Sequence, residues 1–407
     1  MNYSDFFKMI PEASLIAILI VLFVADFATA KTEERKWFNP LASILLLLNT
    51  FVCLYPMDTQ HLFGGMYVTS SAVDVMKAIL SMGTFIVVVQ SRTWAAKTGK
   101  EAEFYMLIVS TLLGMFAMMS AGNFVMFFLG LEMASVPLAC AVAFDMYRKN
   151  SAEAAAKFIL TATFSSGVML YGISFLYGQF GTLYFDDIAV KMQATPLTVI
   201  GLVFFFSGLG FKISLVPFHF WTADTYQGAP TTVTGYLSVI SKGAAAFTLL
   251  SILFHVFGSM MEYWHVLLMI VVVLSITIAN LFAVRQNELK RFMAFSSISQ
   301  AGYIMLAAVG NNWANSVTAL SYYVLIYVVA NMAVFTIISV VEQNNGGKTN
   351  ISDYNGFYQT NPRLSFLMTL AMFSLGGIPP FAGMFSKFFI FMSGVNGADI
   401  NTTMGAW

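Results

Sequence analysis

The chain has 407 residues, of which 58% are hydrophobic and only 10% charged, and its formal net charge is zero. Soluble domains average about 25% charged residues, so this composition excludes a soluble globular protein and indicates an all-α polytopic membrane protein. A neutral chain has no electrostatic tendency to bind nucleic acid. The two cysteines, Cys53 and Cys140, are too few to hold an iron–sulfur cluster and are interpreted as packing residues.

Apolar stretches of about 18–25 residues predict about twelve membrane-spanning helices. The first stretch has no clear signal-peptidase site and is interpreted as a retained helix. The predicted spans are 12–30, 38–56, 72–90, 103–121, 123–144, 154–177, 197–221, 230–257, 264–284, 292–310, 315–341 and 363–394.

Basic residues are distributed unevenly among the loops between these spans. If the N-terminus lies outside, the inside loops hold 13 of the 20 lysines and arginines, and the outside segments hold only Lys8 and Lys191. The positive-inside rule therefore predicts an outside N-terminus. The inside residues are Lys31, Arg35, Lys36, Arg92, Lys97, Lys100, Arg148, Lys149, Arg285, Lys290, Arg291, Lys348 and Arg363.

Five charged residues lie within or at the edge of long apolar stretches. A charge at mid-membrane costs roughly 2.5–3.5 kcal/mol on insertion scales. These groups must therefore pair, face water or be neutral part of the time, and each of these routes indicates transport of a proton or an ion. The five residues are Glu132, Lys157, Lys212, Lys242 and Lys387.

Glu132 is the only acidic residue that the sequence places well inside a span, so it is the expected switching partner of Lys212 or Lys157. A lysine whose carboxylate partner approaches and then retreats binds and releases a proton in turn. Lys157 follows Glu153 by four residues, so a simple surface ion pair remains the alternative for this lysine. Lys77 follows Asp74 by three residues, which favours a structural pair.

The histidines give a weaker signal. His219 follows Pro217 in a broken span, where it could relay protons or could cap backbone carbonyls that the break frees. His61, His255 and His265 fall near predicted span ends or loops and carry no predicted role. The chain has no nucleotide-binding glycine motif and no cysteine cluster, so we expect neither a cofactor nor a metal in it.

Two predicted spans contain internal breaks, at residues 208–217 and 375–383, and each break includes glycine and proline. Proline removes a helical hydrogen bond, and such breaks survive in lipid only when they are buried in protein or line a wet cavity. The two spans run in opposite directions, which is typical of an inverted repeat. We expect an N-terminal three-helix segment (1–102), a first five-helix repeat (103–257) and a second repeat (258–407). The second repeat offers only four spans, so the sequence suggests a C-terminal truncation or a naturally short variant.

The segment PFHFWTADTYQGAPTTV at residues 217–233 resembles the strongest signature of the antiporter-like membrane subunits of respiratory complex I. Further segments resemble the N-type branch of that family, and together the similarity covers the chain from about residue 70 to its end. These segments are YQGAP at 226–230, LSVISK at 237–242, KRFMAFSSISQAG at 290–302 and LGGIPPFAGMFSK at 375–387.

This resemblance implies fourteen helices with inverted five-helix repeats, two helices more than are predicted here. It also implies a proton path whose glutamate and lysines match Glu132, Lys212, Lys242 and Lys387, with Lys157 as a further member. The twelfth-helix acid typical of the M-type sibling is absent, which favours the N-type. Ala223 departs from the family pattern, which usually has proline there.

The resemblance further implies a proton-translocating membrane subunit of NADH:quinone oxidoreductase in a bacterial inner (plasma) membrane. Quinone reduction would drive it from partner subunits that hold flavin, iron–sulfur clusters and quinone, alongside neighbouring antiporter-like subunits. Three alternatives remain open at this point: a subunit of a multi-subunit cation/proton antiporter, a subunit of a related membrane-bound oxidoreductase, and a structural spacer whose charges pair statically.

Overall fold

The computed structural model describes residues 3–29, 37–55, 59–146 and 148–395. The predicted inside-loop residues Lys31, Arg35 and Lys36 lie outside the described residues, as do the predicted span ends at 30 and 56 and the last part of the predicted second repeat.

Helices form almost all of the described chain. The only paired strands in the described residues are β1 (Gln60–Leu62) and β2 (Tyr67–Thr69), an antiparallel hairpin in which His61 lies opposite Val68. The helices in chain order are α1 (Ile10–Ala28), α2 (Phe38–Cys53), α3 (Ser71–Thr98), α4 (Glu101–Met119), α5 (Phe124–Val142), α6 (Lys149–Phe180), α7 (Phe185–Lys191), α8 (Pro196–Ile213), α9 (Phe220–Gly228), α10 (Thr231–Tyr236), α11 (Lys242–His255), α12 (Met261–Ala283), α13 (Leu289–Leu306), α14 (Trp313–Asn344), α15 (Phe357–Thr360), α16 (Pro362–Gly376) and α17 (Ala382–Val395).

Ten helices in the described residues are long and apolar enough to cross a membrane. The shorter apolar helices α2 and α17 occupy the predicted spans 38–56 and the end of 363–394, so each of the twelve predicted spans contains a helix. Two predicted spans are interrupted where the sequence predicts breaks. In the span predicted at 197–221, α8 ends at Ile213 and α9 begins at Phe220, and the span predicted at 363–394 consists of two separate helices, α16 and α17.

Polar side chains at the helix starts accept backbone N–H groups that have no partner within the helix. Ser70 does so before α3, Asn123 before α5 and Glu288 before α13. Each is a short or acidic side chain in extended backbone, which is the usual N-cap geometry. These caps fix where α5 and α13 begin, and both helices carry residues of the site described below.

Helices α4 and α5 pack with their backbones in close approach because glycines face each other. A Cβ atom added to Gly114 would lie 2.4 Å from the backbone nitrogen of Ala134, and one added to Gly130 would lie 2.5 Å from the backbone nitrogen of Met118. Small residues allow this kind of contact between membrane helices. The contact fixes the position of α5, and therefore of Glu132 and Ser135.

The first predicted break lies between α8 and α9. Ser214 adopts a left-handed conformation with φ 67°. The Val216 N–H donates to Ser275 Oγ at 2.9 Å, and Trp221 Nε1 donates to the Phe211 carbonyl at 3.0 Å. Side chains from α9 and α12 therefore satisfy backbone groups that the break frees, as a break at membrane depth requires.

The second predicted break lies between α16 and α17, where Gly377 adopts a left-handed conformation with φ 79°. The Leu375 carbonyl accepts from Gln300 Nε2 at 3.0 Å and from Lys387 Nζ at 3.1 Å. Lys387 Nζ also donates to the Gly376 carbonyl at 3.0 Å. The freed carbonyls at this break are thus bonded by a lysine and an amide from inside the protein.

The continuous rod from α10 to α11 forms the centre of the bundle. In its most apolar stretch 89% of the residues are buried, compared with 33% for α12. Large apolar side chains such as Leu160, Phe164 and Val266 project outward from α6 and α12. Hydrocarbon is as suitable a surrounding for these side chains as a protein core, so the outer helices need no further cover.

Candidate functional site

Lys242 lies at the centre of the bundle, directly after a π-helical turn, Leu237–Ser241, that joins α10 to α11. Its side chain is 1% exposed, and Nζ donates to Ser297 Oγ at 2.8 Å. Single π-helical turns inside α-helices occur often at functional sites. Lys242 is therefore a buried amine whose hydrogen-bond partner in the described chain is a neutral hydroxyl.

Lys212 lies in the last turn of α8, just before the first break, and is 5% exposed. Its Nζ donates to Ser135 Oγ on α5 at 2.7 Å, and it lies 5.8 Å from the centre of the Phe158 ring. No described carboxylate lies within 4 Å of this ammonium. Lys212 and Lys242 thus share one design, in which a serine accepts from a buried lysine.

Glu132 lies on α5, three residues before Ser135, so the two side chains are one helical turn apart. The Glu132 side chain is half-buried and has no described basic group within 4 Å. The predicted Glu132–Lys212 pair is therefore not formed in this structure. Lys212 is bonded instead to the neighbouring position on the same face of α5.

Aromatic rings separate the two buried lysines. The Phe158 and Trp221 rings lie 5.0 Å apart, and the Trp221 and Tyr226 rings 6.4 Å apart. Lys212 lies over the Phe158 end of this row, and Lys242 lies 5.3 Å from the Tyr226 ring centre. Movement of a proton between the two amines therefore needs hydroxyl groups or water beside the rings.

Buried polar atoms without a described partner concentrate around the first break and α9. Protein interiors rarely leave such atoms unbonded, and ordered water is the usual partner when the protein supplies none. This region is thus suited to hold water between Lys212 and Lys242. The atoms are Ser214 Oγ, His219 Nδ1, Thr222 Oγ1, Thr225 Oγ1 and Thr232 Oγ1.

Lys387 lies on α17 and reaches back to the end of α16. Besides its bonds to the carbonyls of the second break, its Nζ lies 4.6 Å from the centre of the Tyr303 ring. Carbonyls at a helix C-terminus carry partial negative charge, and two of them accept from this amine. Unlike Lys212 and Lys242, Lys387 is only partly buried.

Lys157 was predicted among the buried charges, and this placement was wrong. Its side chain is 45% exposed, and Nζ lies 2.8 Å from Glu153 Oε1 and 2.7 Å from Asp224 Oδ2. Arg291 Nη1 contacts the other Asp224 oxygen at 2.7 Å. The alternative of a surface pair with Glu153 is therefore formed, and Asp224 extends it into a four-residue cluster beside a cavity of about 170 Å³.

Lys77 was predicted to pair with Asp74, but its closest partner is Glu12. Lys77 Nζ lies 2.8 Å from Glu12 Oε1 and 3.9 Å from Asp74 Oδ1, and Tyr67 donates to the other Glu12 oxygen at 2.9 Å. Glu12 is 2% exposed. Glu12 and Asp74 lie in the first turns of α1 and α3, and both are more deeply buried than Glu132 in the middle of α5.

Residues 121–405 match a family model described as NADH:quinone oxidoreductase/Mrp antiporter, transmembrane. The chain is also 57% identical, over 97% of its length, to NADH-quinone oxidoreductase subunit N of Phocaeicola vulgatus, and it spans 83% of that relative. The chain belongs to this antiporter-like subunit family, in its subunit N branch. The resemblance inferred from residues 217–233 and 375–387 is therefore confirmed.

Solved structures agree with the family assignment. Respiratory complex I from Thermus thermophilus with bound aureothin contains a chain that matches with a TM-score of 0.80 at 29% identity, covering 95% of this chain and 82% of that one. The Mrp complex from Dietzia sp. DQ12-45-1b matches with a TM-score of 0.79 at 19% identity, covering 97% and 76%, which shows a shared fold. This member of the family is an all-α polytopic membrane protein with two broken helices.

His219 is the remaining predicted site residue of this family member. It occupies the N-cap position of α9 and is 8% exposed, and its ring packs 4.6 Å from that of Phe220. Nδ1 has no hydrogen-bond partner among the described residues. The structure therefore places His219 among the buried polar atoms without a described partner, and its role as relay or cap stays a prediction.

The sequence prediction missed the hydroxyl and amide side chains that contact the lysines. Ser135, Ser297 and Gln300 are buried on α5 and α13 and bond the lysines or the carbonyls that hold them. On α13, Ser297 and Gln300 stand beside Ser296 and Ser299, so spacing alone does not single them out, and the single serine of α5 gives no sign of its partner on another helix. The residue pairs form only when α5 meets α8 and α13 meets α11 and α16.

Proposed function

We propose that this chain translocates protons as the antiporter-like N-type membrane subunit of NADH:quinone oxidoreductase, with quinone reduction in partner subunits as the energy source. The observation that carries the proposal is the burial of Lys212 and Lys242 on serine hydroxyls. A buried ammonium without a carboxylate partner is expensive, so such a lysine readily gives up its proton. Two such lysines in one bundle, linked by a region suited to hold water, are what a proton carrier needs.

The driving step is a change in the distance between Glu132 and Lys212. Lys212 now bonds Ser135, one turn from Glu132 on the same helix. A small shift of the Lys212 side chain along α5 would bring it to the carboxylate, where the proton is held tightly. Withdrawal of the carboxylate would release that proton toward Lys242 through the wet region of α9.

Release takes place at the far end of the path, from Lys387. Basic loops share one face of the bundle, because Arg148 lies 2.9 Å from Glu342 and Thr93 contacts Gln343. We assign that face to the inside of a bacterial inner membrane and the N-terminus to the outside. We also retain the division into a three-helix segment (1–102) and two repeats (103–257 and 258–407).

Lys157 and His219 belong to the proposal in different ways. Lys157 lies beside an open cavity at the inside end of α6, which suits proton entry from the inside. His219 lies in the wet region, which suits a relay between Lys212 and Lys242.

Electron transfer belongs to partner subunits in this proposal. No group of three or more potential metal ligands is present among the described residues. Flavin, iron–sulfur clusters and quinone are assigned to the other membrane and peripheral subunits. The tagged chain, extracted in mild detergent, should then copurify with a large assembly that has flavin and iron–sulfur absorbance. A colourless assembly of membrane subunits alone would instead favour a cation/proton antiporter.

The decisive experiment measures protons translocated per NADH oxidised by the assembled complex in lipid vesicles. Lys212→Ala and Glu132→Ala should each lower this ratio, whereas Lys191→Ala, at the exposed last residue of α7, should leave it unchanged. Complexes must be matched for NADH oxidation with an artificial acceptor, so that poor assembly is not mistaken for lost pumping. An unchanged ratio of protons to NADH in both Lys212→Ala and Glu132→Ala would contradict the proposal.

A further inference from the structure

A small cavity lies between α13, α14, α16 and α17, next to Lys387. Its volume is about 10 Å³, which is about the space that one water molecule needs. The side chains that give it polar character are Gln300, Tyr327, Ser374, Ser386 and Lys387. The cavity therefore offers a single water several polar partners, as a stable buried water requires.

Tyr327 connects this cavity to the centre of the bundle. Its side chain is 4% exposed, and its hydroxyl has no hydrogen-bond partner within the described chain. The hydroxyl lies near Ser297, which accepts from Lys242 at 2.8 Å and donates to the Ser238 carbonyl at 3.3 Å. One side of Tyr327 thus meets the serine of the central lysine, and the other meets the cavity beside Lys387.

Gln300 holds both walls of the cavity in place. Its Nε2 donates to the Leu375 carbonyl at 3.0 Å, and its Oε1 accepts from the hydroxyl of Tyr323 on α14. The same carbonyl accepts from Lys387. A neutral amide carries no transferable proton at ordinary pH, so Gln300 suits positioning rather than relay. It ties α14 to the end of α16, where Lys387 binds.

We propose that one water molecule in this cavity joins the Tyr327 hydroxyl to the Lys387 amine, and that Tyr327 relays protons from Lys242 while Gln300 positions the acceptor end. This assignment rests on the proposed proton translocation and supplies its last internal step. The path from Lys242 to Lys387 then runs through Ser297 on α13 and Tyr327 on α14.

The transfer is balanced without any other reactant. The Lys242 ammonium gives a proton to Ser297 Oγ as that hydroxyl turns from the Ser238 carbonyl and passes its own proton to Tyr327, and Tyr327 passes its proton to the water. The water gives a proton to the Lys387 amine. Each hydroxyl gains and loses one proton, so Tyr327 never becomes a full anion, a state that burial strongly disfavours. The net change is one neutral Lys242 and one charged Lys387.

The test compares two tyrosines on α14 in the assembled complex in lipid vesicles. Tyr327→Phe removes only the relay oxygen, and Tyr322→Phe makes the same change at a ring that packs 5.4 Å from Phe389, away from the relay. Protons per NADH should fall in Tyr327→Phe to the level of Lys242→Ala. Tyr322→Phe should match the unaltered complex.

The two proposals fail in different ways. If Lys242→Ala loses pumping but Tyr327→Phe pumps normally, the tyrosine relay is wrong and proton translocation by this chain stands. If neither variant changes the ratio of protons to NADH, the proposed function itself is wrong. The isosteric Phe variant keeps the ring, and NADH oxidation with an artificial acceptor reports its assembly separately.

The positioning role of Gln300 needs a separate measurement. The titratable groups facing the cavity are Lys387 on α17, Tyr323 and Tyr327 on α14, and Tyr303 on α13. Gln300→Glu places a carboxylate beside Lys387, and a nearby negative charge favours the charged form of an amine. The alkaline limit of pumping should therefore move upward by about 1–3 pH units. A lower rate with an unmoved pH profile would mean a purely structural role and would overturn the assignment.

Discussion

Lys77 Nζ lies 2.8 Å from Glu12 Oε1, and this ion pair joins α3 to α1 with both side chains almost completely buried. Tyr67 donates to Glu12 at 2.9 Å, and Lys77 Nζ donates to Tyr67 at 3.1 Å, which closes a triangle. Burial raises the pKa of Tyr67, on the hairpin, to about 12. The N-terminal helix is therefore attached to the bundle by charge as well as by packing.

We expect Glu12→Gln or Lys77→Met alone to destabilise the chain by about 3–5 kcal/mol, because either change leaves a buried charge without its partner. The double variant should recover most of that loss, since two neutral side chains leave no charge unpaired. Thermal unfolding of the purified assembly would measure both effects. Additive losses in the double variant would show that the two residues do not interact energetically.

Ser135 should matter for proton translocation although it cannot titrate in the working range. Ser135→Ala removes the acceptor of the Lys212 ammonium, and hydrogen bonds to charged groups contribute roughly 1.5–3 kcal/mol. We expect the pumping rate to change by about tenfold or more while the complex still assembles. Ser110→Ala, whose hydroxyl bonds its own helix at Met106, is the matched control. Equal rates in both variants would argue against a role for the Ser135 contact.

The close approach of α4 and α5 should be intolerant of a single methyl group. Gly130→Ala would place a Cβ 2.5 Å from the backbone of Met118, so α5 must shift and carry Glu132 with it. We predict lower pumping or lost assembly for this variant. A Cβ atom added to Gly167 on α6 has no neighbouring atom within 4 Å, so Gly167→Ala should leave assembly and pumping unchanged. Gel filtration and pumping assays distinguish the outcomes, and a fully active Gly130→Ala complex would contradict the packing argument.

The surface cluster around Asp224 should respond to acid. The hydrogen bond from Lys157 lowers the pKa of Asp224, which lies on α9 outside the membrane spans. Because its folded-state pKa is below its unfolded value of about 3.9, its stabilisation is present above that pH and is lost as the pH falls through the folded-state pKa. Unfolding midpoints of the unaltered chain and Asp224→Asn should therefore differ equally at about pH 8 and about pH 6, and converge below about pH 4.

Lys157→Met separates the two interpretations of that lysine. Exposed ion pairs contribute little to stability, so the unfolding midpoint should change only slightly. If Lys157 takes up protons from the inside, protons per NADH should nevertheless fall. A variant with normal pumping would leave only the surface pair with Glu153 and Asp224.

The sequence by itself determined the class of protein and most of its helices. Long apolar stretches predict spans because every backbone polar group in lipid must bond within its own helix. Each span is therefore recognisable from one continuous segment of sequence. Glycine and proline at 208–217 and 375–383 predicted the two breaks, because proline removes a hydrogen bond within its own helix. The buried positions of Lys212 and Lys242 also followed, since both residues stand deep inside such segments.

Only the tertiary structure decided which groups meet across helices. Lys77 was assigned to Asp74 because spacing along one helix was the available guide, whereas Glu12, 65 positions earlier, proved to be the closer partner. Lys157 looked buried because its helix is apolar, but its face of α6 opens beside α9. The serines that accept from Lys212 and Lys242 could not be predicted either, because each lies on a different helix from its lysine. Contacts between helices depend on rotation and depth of whole helices, and a single sequence fixes neither, because all outward faces are equally apolar in lipid.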